Sequence, residues 1–348
     1  MVTAAFYDPP GGATFQRLAK DRRAFRPRII GAVNPLYLLL EAYAALFFAG
    51  AALAAMRRGR LPFLELISAA AFGILLEEGD QLVFQTYHYS PDWILTIDRA
   101  PVVIGLTWAL IIAGAMRLTD ALGVRRRYAP FVDAVLAISL DLAFDAIAIR
   151  MGLWSWHGIG PTEGWFGVPA GNYYAWLFVT LGFSVMTRWL RDAAVRRPSW
   201  EWLQLAVPFP AWLLLLAGLV PFSILRPMVD PHPGGGLWLF GVAMAGFLAI
   251  SAWGVWGPDR IRPDGERIAI LELSLALGTR VAIEGFFLVA LVLMGGVTGY
   301  PVLLVAALLL LAAEFPLGRL VHARHARANA GARLPVGEAG PAQAGSYR

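Results

Sequence analysis

Cysteine is absent from the chain, and with it go disulfides, thiolate metal sites and cysteine nucleophiles. Histidine is scarce, with five residues in 348. His88, His157 and His232 fall in three separate links and His322 and His325 near the C-terminus, without the several close histidines that a di-iron desaturase or hydroxylase needs beside its helices. No metal is expected. A Gly-x-Ser-x-Gly elbow is missing, and no glycine-rich turn follows a strand, which argues against phosphate-cradle and dinucleotide sites. Near the N-terminus no short apolar core precedes a small-residue cleavage site, so no removable signal peptide is expected.

Charge is also in short supply, at 15% of residues against 58% hydrophobic ones. The mean hydropathy is +0.60, too apolar for a soluble domain of this length. Apolar runs near 30–56, 62–84, 101–118, 130–151, 172–190, 204–225, 237–257, 276–296 and 300–321 are each long enough to cross a bilayer. They do not alternate as barrel strands would. The expected fold is an all-α polytopic transmembrane helix bundle of about 8–9 spans in the cell membrane. Residues 1–28 form a basic segment with Arg17, Lys20, Arg22, Arg23, Arg26 and Arg28, suited to lie against anionic head groups. Residues 29–325 make a single membrane domain, and 326–348 an Ala/Gly-rich tail expected to be disordered.

The formal charge of +5 would suggest nucleic acid in a soluble protein, but here the arginines gather in alternate links. The links near 57–60, 117–127, 188–197, 260–267 and 319–327 are basic and are expected to face the cytoplasm. Links 85–100 and 152–171 then share the opposite side. Nucleic acid is excluded as a partner; membrane lipids are the expected surroundings, and the oligomeric state is left open.

Carboxylates at membrane depth cost about 2.5–3.5 kcal/mol each on insertion scales, so their presence needs a reason. Glu77, Glu78 and Asp80 close the second run, with Glu77 and Asp80 on one helical face. Asp141 and Asp145 are one turn apart in the fourth. Arg280 and Glu284 are spaced for an internal salt bridge. Two stacked carboxyls in low dielectric raise each other's proton affinity, which is how a site keeps an acid protonated at neutral pH. They could equally tie helices together, and both roles stay open. Glu77, Glu78, Asp80, Asp141 and Asp145 are the candidate acids.

The outer links hold the aromatic residues, above all the stretch WSWHGIGPTEGWFGVPAGNYYAW from Trp154 to Trp176, whose glycines and prolines break any helix. Such rings form an interfacial belt or roof a pocket. Together with nearby carboxylates they suit the stabilisation of a cation. Tyr87, Tyr89, Trp154, Trp156, His157, Trp165, Phe166, Asn172, Tyr173 and Trp176 are the candidate pocket residues, with His157 and His88 also possible proton relays.

Within that stretch, Phe166, Gly167, Val168, Pro169, Asn172, Tyr173 and Trp176 resemble a Phe-Gly-Val-Pro-x-x-Asn-(Phe/Tyr)-x-x-Trp signature. It belongs to the membrane carotenoid biosynthesis family that includes the carotenoid 1,2-hydratases of the bisanhydrobacterioruberin and gamma-carotene type. Tyr87 with Tyr89, the span with Pro101, Ile104, Leu106 and Trp108, and Trp154 with Trp156 follow in similar order. The resemblance implies a lipophilic carotenoid or other isoprenoid substrate, acid-catalysed hydration of a terminal double bond, and no cofactor. Cyclisation or isomerisation of an isoprenoid lipid would use the same acid, and a non-enzymatic transport or proton-relay protein could use the same buried carboxylates.

Overall fold

A computed structural model describes residues 34–257 and 270–331; the basic segment 1–28, the link near 260–267 and the tail from 332 lie outside the described residues. The chain runs through α1 (Pro35–Arg58), α2 (Arg60–Gly79), α3 (Val102–Ala121), α4 (Ala129–Arg150), α5 (Ala170–Arg196), α6 (Pro208–Val229), α7 (Leu237–Trp256), α8 (Ile270–Leu293), the single turn α9 (Gly296–Gly299) and α10 (Pro301–Gly331). Proline sits in the first turn of α1, α4 and α6, where its missing N–H has no partner to lose. The last helix carries on into the segment read above as tail.

Among the described residues six helices, α1, α3, α6, α7, α8 and α10, are long and apolar enough to cross a membrane. The protein is a multi-pass membrane protein with an all-α fold. Leucine, valine and tryptophan side chains stand exposed along α6, α7, α8 and α10, a disposition that only a hydrocarbon solvent favours. The other long helices, α2, α4 and α5, hold Glu65, Glu77, Asp133, Asp141, Asp145 and Arg188, all buried. α4 packs on α3, α5, α7, α8 and α10 and forms the axis of the bundle. The polar residues thus collect inside and the apolar ones outside, as expected for a membrane bundle.

The second apolar run, read above as one span to residue 84, is in two parts. The α-helix stops at Gly79, and Asp80–Phe84 forms a wider π turn. It is closed by Gln85, which takes a left-handed φ of 53° and donates its N–H to the Asp80 carbonyl. In α8 the i,i+4 pair also resolves differently. Arg280 reaches across to Glu314 of α10 through two bonds of 2.6 and 2.8 Å and donates to the Leu136 carbonyl and the Ser139 hydroxyl of α4. A bidentate carboxylate on a facing helix matches the guanidinium fork better than a carboxylate one turn along the same helix.

At the end of the bundle nearest the basic links, Arg188 pairs with Asp120 and Asp133 and donates to the Ser184 hydroxyl, which itself donates to Asp133, while Arg191 bridges Glu65 and Asp120. Removing one member leaves an uncompensated buried charge, so Arg188→Ala is expected to destabilise the bundle by about 3–5 kcal/mol. Arg126 pairs with Asp192 at the exposed surface, and Arg126→Ala is expected to change stability by at most about 1 kcal/mol. Melting midpoints of the two variants in detergent check the contrast.

Candidate functional site

The two outer aromatic links meet as a short antiparallel ribbon. Tyr87–Tyr89 (β1) pairs with Trp154–Trp156 (β2), placing Tyr87 opposite Trp156, His88 opposite Ser155 and Tyr89 opposite Trp154. Strand side chains alternate between faces, so Tyr-His-Tyr against Trp-Ser-Trp makes one face of four rings and another of two polar groups. Tyr87 lies 4.9 Å from Trp156 and Tyr89 6.0 Å from Trp154 between ring centroids.

The ring face delivers both phenols to Glu77. Tyr89 donates its hydroxyl to Oε2 at 2.6 Å, Tyr87 donates to the same oxygen, and Trp108 of α3 donates its indole N–H to Oε1 at 2.8 Å. Burial first and the Glu77 charge second push both phenols well above their ordinary range, so they remain donors. Trp108 arrives there because α2 and α3 touch at glycines. A Cβ on Gly73 would stand 2.7 Å from the Trp108 Cβ, and one on Gly105 2.7 Å from Ile74, so small residues let the backbones close one turn before Glu77.

The segment Trp165 to Pro169 folds as a tight hairpin. Trp165 and Val168 exchange backbone bonds of 2.9 and 3.2 Å, with Phe166 at φ 51° and Gly167 at φ 84° between them. Two consecutive positive φ values are those of a type I′ turn. Gly164 precedes it, also at positive φ, where a Cβ would lie 2.1 Å from the Val168 carbonyl oxygen. The turn ends on Pro169, the N-cap of α5. Asn172 therefore falls in the first turn of α5, beside α4, and its Nδ2 donates to Asp145 at 2.6 Å and to Asp141 at 3.1 Å. The Phe-Gly-Val-Pro-x-x-Asn spacing is thus a device for aiming one amide at two carboxyls.

Two cavities flank this polar group. The larger, ≈ 420 Å³, lies among α2, α5, α6 and the link at 231–235, and Asp80, Thr86 and His157 give it a polar side. The smaller, ≈ 140 Å³, lies among α1, α3, α4 and α8. Glu77, Tyr87, Trp108, Trp156, Asn172 and Trp176 line both cavities and form the waist between them. Asp145 lines only the smaller, with Tyr89, Trp154, Phe144 and Phe287.

Of the residues singled out from the sequence, Glu77, Asp145, Tyr87, Tyr89, Trp154, Trp156, Asn172 and Trp176 come together here, and Asp80 and His157 border the larger cavity. Asp141 stands behind Asn172. Glu78 instead accepts the backbone N–H groups of Arg99 and Ala100, at 2.8 and 2.7 Å, and holds the outer link. Trp165 donates to the Leu142 carbonyl, Phe166 is a turn residue, and Tyr173 packs fully buried against Phe240; none of these lines either cavity. Phe144 and Phe287 are mid-helix rings without a local signal in the sequence, and Trp108 is marked there only by the family resemblance. The ribbon did have one, the alternation in Tyr-His-Tyr and Trp-Ser-Trp.

On the outward face of the ribbon, His157 directs Nδ1 at the Gln85 carbonyl at 2.7 Å and Nε2 at His88 Nδ1 at 2.8 Å, while Ser155 bonds His88 Nε2 at 3.0 Å. A carbonyl can only accept, so His157 carries its proton on Nδ1, His88 donates from Nδ1, and Ser155 donates to His88. Partial burial and then the neighbouring His157 hold His88 below its ordinary value. A depressed histidine favours the neutral fold. Its contribution is full above the unfolded value of about 6.5 and is lost as pH falls through the lower folded value. The wild-type melting midpoint is expected to drop between about pH 8 and about pH 5, and to drop less in His88→Gln.

A helical bundle with buried carboxylates and aromatic rings between two cavities defines the class, a multi-pass membrane protein. Residues 33–229 match the carotenoid biosynthesis protein family, and the chain belongs to that family. The matched segment runs from the start of α1 to the end of α6 and so contains the whole waist. No curated protein and no solved structure matches the chain. Membership gives the protein a role in carotenoid biosynthesis, with a lipophilic isoprenoid as substrate and a membrane as its setting.

Proposed function

We propose that the protein adds water to a terminal double bond of a carotenoid by acid catalysis. The observation that carries this is the carboxyl pair held by Asn172 beside a ring-walled cavity, with the donor-saturated Glu77 on the same wall. Asp141 and Asp145 accept from the same Asn172 amide, and two buried carboxyls sharing one donor are favoured when one of them keeps its proton. Asp145 faces the cavity and is the acid. Three converging donors suit Glu77 as an anion.

In the reaction the Asp145 O–H bond breaks and its proton goes to the CH carbon of the terminal double bond. Positive charge develops on the dimethyl-bearing carbon. Glu77 and the faces of Trp108, Trp154 and Trp176 lower its energy. A water oxygen bonds to that carbon, and the proton it sheds returns to Asp145. Nothing is oxidised or reduced, and one water is gained.

Cyclisation would start with the same protonation but capture the cation with a neighbouring double bond. Asp80, Thr86 and His157 on the larger cavity give water a polar approach, which favours hydration. A proton-relay protein would need the inner carboxylates free, whereas Glu65, Asp120 and Asp133 are each bound to arginine. The test is expression in cells that accumulate an acyclic polyene, followed by mass analysis of the pigments. A product heavier by one water is the expected result; unchanged mass with shifted absorption means cyclisation or isomerisation, and unaltered pigment rejects catalysis.

A further inference from the structure

Resting on that proposed reaction, we infer that the smaller cavity is the end-group pocket: it admits one acyclic terminal isoprene unit, excludes a ring, and leaves the adjoining polyene in the larger cavity. Both groups assigned to the chemistry, Asp145 and Glu77, line the smaller cavity, and Asp145 does not reach the larger one. The double bond to be protonated must therefore enter the smaller side.

Size sets what fits. A dry cavity of about 150 Å³ holds a benzene-sized molecule, so ≈ 140 Å³ takes a group of about five or six carbons, one isoprene unit. A cyclised end group carries a six-membered ring with further methyls and exceeds it. The larger cavity, ≈ 420 Å³ against ≈ 140 Å³, has three times the space and accepts about three further units by the same measure. Between the two, Trp108 and Trp176 pack together 4.2 Å apart at a 36° tilt, an aromatic surface against which the flat polyene would lie where it leaves the end-group pocket.

The far wall of the smaller cavity is closed by Phe144 and Phe287, 5.1 Å apart between centroids, from α4 and α8. Ala44 of α1 also lines it and is buried. These residues decide end-group size without touching the carboxyl network, which makes them separable from catalysis.

The experiment compares the full-length wild type with Ala44→Phe, Phe287→Ala and the milder Phe287→Leu in cells making an acyclic polyene, and in parallel cells making its ring-ended relative. Hydrated product and pigment retained through purification in detergent are measured, with elution volume as the check of folding. Wild type is expected to retain the acyclic pigment at least tenfold better than the ring-ended one. Ala44→Phe, which fills the smaller cavity, is expected to lose at least tenfold of both hydrated product and retained acyclic pigment while still eluting as folded protein. Phe287→Ala, or Phe287→Leu if the alanine variant does not fold, is expected to retain the ring-ended pigment. Equal retention of both pigments by wild type, or full product from folded Ala44→Phe, would overturn the assignment. Failure of wild type to hydrate any acyclic polyene would reject the reaction instead, and the retention ratio would still decide the pocket.

Discussion

Asp145→Asn is expected to lower hydrated carotenoid by at least about a hundredfold, the lower end of what a general acid contributes, while the purified protein keeps its pigment. The amide is nearly isosteric and retains a partner for Asn172, so the cavity is preserved and only the transferable proton is gone. Asp141→Asn is expected to have a smaller effect, since Asp141 faces the cavity only through Asp145 and Asn172. The measurement is product per folded protein, with bound pigment read by absorption. Undiminished product from Asp145→Asn would remove Asp145 from the reaction and move the acid to Asp80 or Glu77.

Glu77→Gln is expected to lower product formation by about 10²–10³-fold, the range found when one preorganised electrostatic group is removed from a site. The carboxylate accepts two phenols on one oxygen and an indole N–H on the other. An amide must turn its NH2 towards one of those donor sets and carries no charge to face the cation. Glu77→Asp keeps the charge and shortens the reach by one methylene, so it is expected to recover part of the loss. Tyr87→Phe and Tyr89→Phe serve the same oxygen, and their combined effect is expected to fall short of the product of the two separate effects. If Glu77→Gln matched wild type while Asp145→Asn failed, the cation would be stabilised by the rings alone.

What was legible in the sequence was set by local chemistry. Long apolar runs without breakers identify membrane helices, and arginine-rich alternate links group 85–100 with 152–171, the two stretches that the ribbon joins. Asp141 and Asp145 share a face by helical periodicity alone. The waist was harder to see, because it depends on which helices touch. Gly73 against Trp108 sets the Glu77–Trp108 bond across α2 and α3, and nothing in either helix names the other as partner. Glu78, adjacent to Glu77, illustrates the same limit of local reasoning. One residue of helical rotation turns its carboxylate to the backbone of Arg99 and Ala100. Arg280 passed over Glu284 because α10, far along the chain, offers a better-shaped carboxylate.

The buried acids that α4 carries, Asp133, Asp141 and Asp145, bear on how the chain is made. Each carboxylate presented alone to lipid disfavours insertion by about 2.5–3.5 kcal/mol, so α4, with Asp133, Asp141 and Asp145, is a poor candidate to leave the translocon unaccompanied. Its partners are α3 before it and α5 after it, which brings Arg188 for Asp133 and Asn172 for the other two. Biogenesis therefore has a commitment point at α5. A nascent chain stopped short of it holds Asp133, Asp141 and Asp145 in the membrane without Arg188 and Asn172, the arrangement that insertion disfavours most.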